Sequence, residues 1–78
     1  MNSKILIVED EKNLREILCD YFRSKGEIPF EASNGMQALS LIEENEYDAV
    51  LLDIMMPKMD GLSLCRAVRK TNDIPIIF

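Results

Sequence analysis

The hydrophobic positions of the chain form alternating strand-like and helix-like segments. Residues 4–8 read KILIV, an apolar run without polar alternation, which predicts a strand covered on both faces. From residue 14 to residue 22 the apolar residues recur at helical spacing, and Gly26 follows where a helix would end. AVLLD at residues 49–53 predicts a second buried strand, and DIPIIF at residues 73–78 begins a fourth strand. The apolar stripe of the first helix consists of Leu14, Ile17, Leu18, Tyr21 and Phe22.

Two further elements are indicated by special residues. IPFEA at residues 28–32 has the alternation of a short strand, but Pro29 has no N–H to donate to a ladder, so this strand is expected at a sheet edge. Asn34 can cap a second helix that runs to about residue 45. A third helix is predicted from residue 60 or 61 to about residue 70. The inward side of the second helix should contain Ala38, Leu39, Leu41 and Ile42.

The order of these elements predicts an α/β fold with a parallel sheet. Strand and helix alternate three times with short connections, as in right-handed βαβ units. The first and third strands have the continuous apolar character of central strands, and the second carries the edge proline. The strand order 2-1-3-4 satisfies these requirements. The chain then reverses direction between strands one and three, and ligands bind at the carboxyl ends of strands at such a switch point.

Composition and charge narrow the classes of function. The chain has 78 residues, 47% hydrophobic and 29% charged, which is typical of one small globular unit. The formal net charge is −5, from nine Lys and Arg against fourteen Asp and Glu, so the chain by itself should not bind nucleic acid. The apolar runs are too short for a membrane span and do not form a signal peptide, so a cytoplasmic location is expected.

The two cysteines do not indicate a metal site. Cys19 and Cys65 lack metal-ligand spacing, and the chain has no histidine to join them. We expect reduced, partly buried thiols on helices. Right-handed crossovers place helix one and helix three on opposite faces of the predicted sheet, so no disulfide between these cysteines is expected.

Three carboxylates follow the strands that meet at the switch point. Glu9 and Asp10 come directly after the first strand, and Asp53 ends the third. Carboxylates brought close together repel one another unless a cation intervenes, and hard oxygen ligands suit Mg²⁺. An aspartate beside such a metal can also attack phosphorus to form an acyl phosphate, and Asp53 is the central carboxylate. The competing interpretation is structural: Glu9 or Asp10 caps the first helix, or Asp53 caps a loop or the next helix.

Two motifs carry a family resemblance. ILIVEDE at residues 5–11 and LLDIMMPKMDG at residues 51–61 resemble the receiver domain of bacterial two-component response regulators, from Lys4 to Phe78. The resemblance implies a flavodoxin-like (CheY-like) fold with three layers. It also implies that Asp53 accepts a phosphoryl group from a sensor histidine kinase, so the chain is a signalling module rather than a turnover enzyme.

The resemblance also assigns the remaining site residues. Glu9 and Asp10 are the acidic pair that organises Mg²⁺. The backbone carbonyl of Met55 is implied as a further metal ligand, so the side chain at that position need not be polar. Pro57 and Gly61 fit the family's loop, the proline by fixing the backbone and the glycine by allowing close approach.

The motifs are most similar to receivers that precede a winged-helix DNA-binding domain (OmpR/PhoB-like), which implies a transcription regulator as the full-length parent. A full receiver has five strand–helix units, with a hydroxyl residue after strand four and a lysine after strand five, both beyond Phe78. Residues 1–78 are therefore expected to be the N-terminal part of a receiver, three units and the start of strand four, without an output domain. An open edge at that strand predicts self-association or docking of a complementing fragment.

The same residues bear on three other functions. A small Mg²⁺-dependent aspartyl-phosphate phosphotransferase or phosphatase is the main alternative, but its haloacid dehalogenase type needs a second acid where Met55 stands. A flavin-binding electron carrier would need a hydroxyl- and glycine-rich phosphate loop, whereas VEDEKN at residues 8–13 is acidic. A calcium loop at residues 10–21 would need alternating oxygen ligands and a central glycine, which are absent.

Overall fold

The computed structural model describes residues 2–52 and 75–77, which form six elements. The third predicted helix lies outside these residues, as do Asp53, Met55, Pro57, Gly61 and Cys65. Neither helix in the described region has the length and apolar content needed to span a bilayer. The elements are β1 (Lys4–Val8), α1 (Lys12–Ser24), β2 (Ile28–Ala32), α2 (Gly35–Glu44), β3 (Ala49–Leu52) and β4 (Ile76–Ile77).

The sheet confirms the predicted topology. Its order is β2-β1-β3-β4, and each neighbouring pair is parallel. β2 lies at an edge of the sheet, so the missing N–H of Pro29 does not remove a hydrogen bond between the two central strands. β1 and β3 are the two central strands, as their apolar runs predict. The α/β fold with strand order 2-1-3-4 is therefore correct.

Strand β1 is buried on both faces, which explains its unbroken apolar sequence. Leu6 and Val8 belong to a core cluster that includes Ala38 and Ile42 of α2. The alternate residues Ile5 and Ile7 pack on the other face with Cys19 of α1. Because side chains alternate across a strand, these two clusters place α1 and α2 on opposite faces of the sheet. The described residues thus form three layers.

The apolar stripe of α1 faces the sheet only in part. Leu18 and Phe22 pack against the cluster of Ile5, Ile7 and Cys19, as expected. Leu14, Ile17 and Tyr21, however, are exposed by 39%, 63% and 54%. The predicted apolar stripe therefore divides into a part that packs on the sheet, Leu18 and Phe22, and an exposed ridge of Leu14, Ile17 and Tyr21.

The helix ends follow the predicted signals. The side chain of Asn34 accepts a hydrogen bond from the backbone N–H of Gln37 at 2.8 Å, which is the predicted cap of α2. The side chain of Gln37 in turn bonds to the residue before the cap, since its Oε1 accepts a hydrogen bond from the N–H of Ser33 at 2.6 Å. Gly26 adopts φ +84° just beyond α1, a left-handed conformation that only glycine reaches without strain.

We expect Asn34→Ala to lower the free energy of unfolding by about 1 kcal/mol, because the N–H of Gln37 loses its acceptor. Urea unfolding followed by circular dichroism measures the change. The matched control is Asn13→Ala, the same substitution at an exposed position inside α1, where alanine is the better helix former. If the two variants lose stability equally, the capping assignment fails.

Cys19 should react slowly with alkylating reagents. The residue is 3% exposed, and burial raises the pKa of its thiol, with a further increase from the Glu31 carboxylate. A raised pKa leaves less thiolate, the reactive form, at any given pH. At pH 8.5 we expect iodoacetamide to modify Cys19 at least about tenfold more slowly in the folded chain than in urea, because reaction requires local opening. Peptide-resolved mass spectrometry separates Cys19 from Cys65, and equal rates in both conditions would contradict the burial of Cys19.

Candidate functional site

The register between the two central strands determines where the acidic residues emerge. Val8 of β1 pairs with Leu52 of β3, and both side chains are almost fully buried. Glu9 is the next residue after Val8, and Asp53 is the next residue after Leu52. Asp53 lies outside the described residues, so its proximity to Glu9 stays a prediction. The described part of the site is the loop from Glu9 to the start of α1.

Glu9 is held inside the structure rather than in solvent. It is 4% exposed and is the one buried charged residue among residues 2–52 and 75–77. Its N–H donates to the carbonyl of Ala32 at 3.1 Å, which continues the pairing of β1 with β2. Its Oε2 accepts from the N–H of Glu11 at 3.1 Å. Since a carboxylate loses hydration when it is buried, the hydrogen bond to its Oε2 offsets part of that cost.

Asp10 differs from its neighbour because it is exposed. The N-cap position of α1 is occupied by Glu11, whose side chain makes no capping bond. Within the described part of the chain, Asp10 makes no side-chain hydrogen bond. The alternative that Asp10 caps α1 is therefore wrong. Its carboxylate remains accessible to a cation from solvent.

Arg15 is a member of this site that the sequence motifs did not reveal. Its Nη1 donates to the backbone carbonyl of Glu9 at 2.9 Å, and its Nε donates to Oε1 of Glu31 at 3.0 Å. The side chain of Arg15 is only 15% exposed. A signal was available, because helical side chains lean toward the helix N-terminus and Arg15 lies one turn after Glu11. An arginine at that position can reach back to the loop before the helix.

A small cleft lies between Arg15 of α1 and the carboxyl end of the edge strand. It has a volume of about 210 Å³ and is lined by Arg15, Glu31, Ser33 and Gln37. A larger cleft of about 410 Å³ lies at the amino-terminal end of β1 and borders Lys4 and Asp48. That end of the strand is remote from Glu9 and Asp10, so the larger cleft is not part of the acidic site.

The described donors suit a hard cation but do not complete a metal site. Glu9 and Asp10 provide carboxylate oxygens, which are the ligands that Mg²⁺ prefers in proteins. No group of three or more His, Cys, Asp or Glu residues that could hold a metal occurs within the described residues. The other predicted ligands, Asp53 and the carbonyl of Met55, lie outside them. The carboxylates of Glu9 and Asp10 therefore fit magnesium, and the ligand set is complete only with the predicted residues Asp53 and Met55.

Comparison with known sequences identifies a consistent group of relatives. Residues 5–78 match a family model described as response regulator receiver domain. The transcriptional regulatory protein BaeR of Escherichia coli O6:H1 is 46% identical over 74 residues, which are 95% of this chain and 31% of BaeR. The transcriptional regulatory protein SrrA of Staphylococcus aureus is 42% identical over 77 residues, 99% of this chain and 32% of SrrA. The chain thus spans about a third of the length of these relatives.

Solved structures give the same result. The receiver domain of Francisella response regulator 1452 superposes with a TM-score of 0.90 at 37% identity, covering 96% of this chain and 63% of that one. The Thermotoga maritima response regulator TrrA in complex with Mg²⁺-BeF has a TM-score of 0.89 at 39% identity, covering 97% and 66%. TrrA has also been solved in complex with the histidine kinase ThkA. At 37% and 39% identity, these two structures share sequence with the chain as well as sheet topology.

Proposed function

The chain belongs to the response regulator receiver domain family, and from that membership we propose that Asp53 accepts a phosphoryl group from a histidine kinase. The register of the central strands is the observation that supports this role most directly. Val8 and Leu52 pair at the ends of β1 and β3, which supports the proposal that the acidic residues following them meet at the same edge of the sheet. In an open α/β sheet, ligands bind at this edge, at the switch point.

Asp53 is the proposed nucleophile. One of its carboxylate oxygens forms a bond to phosphorus while the bond between phosphorus and the donor's leaving group breaks, which leaves an acyl phosphate. Its sequence position directly after a buried central strand supports the assignment, because a residue next to a rigid element is placed more accurately than one in the middle of a long loop. Pro57 and Gly61 are proposed to shape the loop that follows.

Magnesium is the proposed cofactor, held by Glu9, Asp10, Asp53 and the backbone carbonyl of Met55. When bound there, the ion would supply positive charge to the oxygens of the phosphoryl group. The exposed carboxylate of Asp10 is accessible to metal and water, whereas Glu9 is buried and bonded to the loop. We therefore assign the direct contact to Asp10 and a supporting contact to Glu9. The complex of TrrA with Mg²⁺-BeF supports magnesium as the ion.

The partner and the parent protein are proposed from the relatives. TrrA was solved in complex with the histidine kinase ThkA, which supports a sensor histidine kinase as the phosphoryl donor. BaeR and SrrA are named transcriptional regulatory proteins and are about three times as long as the matched segment. We propose that this receiver likewise controls a transcription regulator of the OmpR/PhoB-like type, whose DNA-binding part is separate from residues 1–78. A signalling role is favoured over a turnover enzyme.

Asp53→Asn should abolish phosphorylation, because an amide is a far weaker nucleophile than a carboxylate. The measurement is intact-mass spectrometry after incubation with acetyl phosphate and Mg²⁺, and loss of the adduct in hydroxylamine identifies an acyl phosphate. The matched control is Asp48→Asn, at the opposite end of β3. The carboxylate of Asp48 accepts a hydrogen bond from the N–H of Lys4 at 2.7 Å, and asparagine retains an acceptor there.

We expect the wild-type chain and Asp48→Asn to be labelled equally, and Asp53→Asn to stay unlabelled. Retained labelling of Asp53→Asn, on a peptide that does not contain residue 53, would reject Asp53 as the acceptor. Omission of Mg²⁺ should remove labelling from the wild type, since the carboxylates alone would repel the phosphoryl donor.

A further inference from the structure

Arg15 ties three parts of the structure together at the acidic loop. Its backbone N–H donates to the carbonyl of Glu11 at 2.9 Å, which belongs to the first turn of α1. Its guanidinium donates to the carbonyl of Glu9 at 2.9 Å and to the Glu31 carboxylate at 3.0 Å. Glu31 is part of the edge strand β2 and pairs in register with Ile7. The side chain therefore connects the helix start, the acidic loop and the edge strand.

The bond to the Glu9 carbonyl bears directly on Asp10. That carbonyl and the N–H of Asp10 belong to the same peptide group, which is planar. Fixing the oxygen therefore limits rotation of the whole peptide plane from which Asp10 extends. Because the carboxylate of Asp10 makes no bond of its own in the described region, its direction depends on the backbone that carries it.

This arrangement differs from an ordinary surface ion pair. Arg23 and Asp20, further along α1, are also 3.0 Å apart, but their side chains are 62% and 78% exposed. Pairs of that kind contribute little to stability. The side chain of Arg15 is only 15% exposed. It donates from two different nitrogens, one to the acidic loop and one to β2. Arginine suits this role because its donors have a fixed planar geometry.

We infer that Arg15 is a positioning residue for the metal site, which fixes the peptide between Glu9 and Asp10 so that the Asp10 carboxylate is held ready for Mg²⁺. The inference rests on the proposed function, since it assumes that Asp10 contacts the ion. It adds a residue outside the acidic motifs and specifies how that residue acts. Arg15 makes no contact with the ion in this account; it acts through the backbone.

The sign of the effect on metal affinity separates positioning from simple electrostatics. A positive guanidinium near the acids repels a cation, so charge alone predicts tighter Mg²⁺ binding when Arg15 is neutralised. If Arg15 positions Asp10, its replacement should weaken Mg²⁺ binding. The Asp10 carboxylate would then lose its conformational freedom only when the ion binds, and that entropy loss lowers the affinity. Residues that orient metal ligands typically change affinity by about 10–100-fold when they are replaced.

The test measures Mg²⁺ binding to the whole chain by isothermal titration calorimetry, with Arg15→Gln and Arg15→Lys as the variants. Arg15→Lys keeps the charge but cannot donate in two fixed directions. Arg23→Gln is the matched control, since it removes an arginine from the same helix without touching the loop. Asp10→Asn provides the reference for a lost metal ligand. Circular dichroism and urea unfolding in Mg²⁺-free buffer verify that each variant is folded.

We expect Arg15→Gln to bind Mg²⁺ about tenfold more weakly than wild type, Arg15→Lys to show a smaller loss and Arg23→Gln to show none. Hydrogen exchange in the absence of metal should be faster at the Glu11 amide in Arg15→Gln, because the loop is less constrained. If Arg15→Gln does not fold, Arg15→Lys tests the positioning role instead, and weaker Mg²⁺ binding than wild type is again the expected result.

Two results would overturn the inference in distinguishable ways. Equal or tighter Mg²⁺ binding by a folded Arg15 variant, with binding lost in Asp10→Asn, rejects the positioning role and leaves the proposed function intact. Failure of the wild-type chain to bind Mg²⁺ rejects the proposed metal site and the inference together.

Discussion

The parallel pairing of β1 with β3 is the constraint on which the rest of the site depends. Val8 and Leu52 form the last described pair of this ladder and belong to the core cluster on one face of the sheet, whereas Leu51 packs on the other face, so a shift of one residue would exchange the packing contacts of both faces. The packing of the core thereby fixes the register to a single residue. It follows that Glu9, the residue just beyond Val8, is positioned by hydrophobic burial although it is itself charged, and we propose the same for Asp53, the residue just beyond Leu52. An apolar core thus specifies where acidic chemistry can occur.

The acidic loop then needs polar contacts of its own. Glu9 loses hydration on burial and is bonded through its backbone to β2 and through its carboxylate to the N–H of Glu11. Arg15 adds two further bonds from the side of α1. Asp10 is left exposed between these anchored residues. A buried, hydrogen-bonded Glu9 beside an accessible Asp10 suits the proposed magnesium ion, which retains water ligands in proteins.

Much of the fold could be predicted because its signals are local. The unbroken apolar run of β1 indicated burial on two faces, Pro29 indicated an edge strand, and Asn34 indicated a helix cap. The exposed ridge of Leu14, Ile17 and Tyr21 was not predictable in the same way, because periodicity defines an apolar arc but not which part of it meets the sheet. Arg15 is a tertiary feature, since its partner Glu31 is sixteen residues away in the sequence and on another element. The role of Asp53 rests on its motif and on the register of the strand that precedes it.

Localisation of a bound divalent ion along the central strands tests the account most directly. A substoichiometric Mn²⁺ titration followed by amide NMR spectra serves this purpose, because paramagnetic broadening falls steeply with distance. The five residues of β1 span roughly 13 Å, enough to resolve a gradient. We predict the strongest broadening at Glu9, Asp10 and Glu11, a progressive decline toward Lys4, and displacement of the effect by excess Mg²⁺. A gradient that runs the other way, strongest at Lys4 and Asp48, or uniform broadening without a gradient, would contradict the claim that the strand register brings the acids together at this edge.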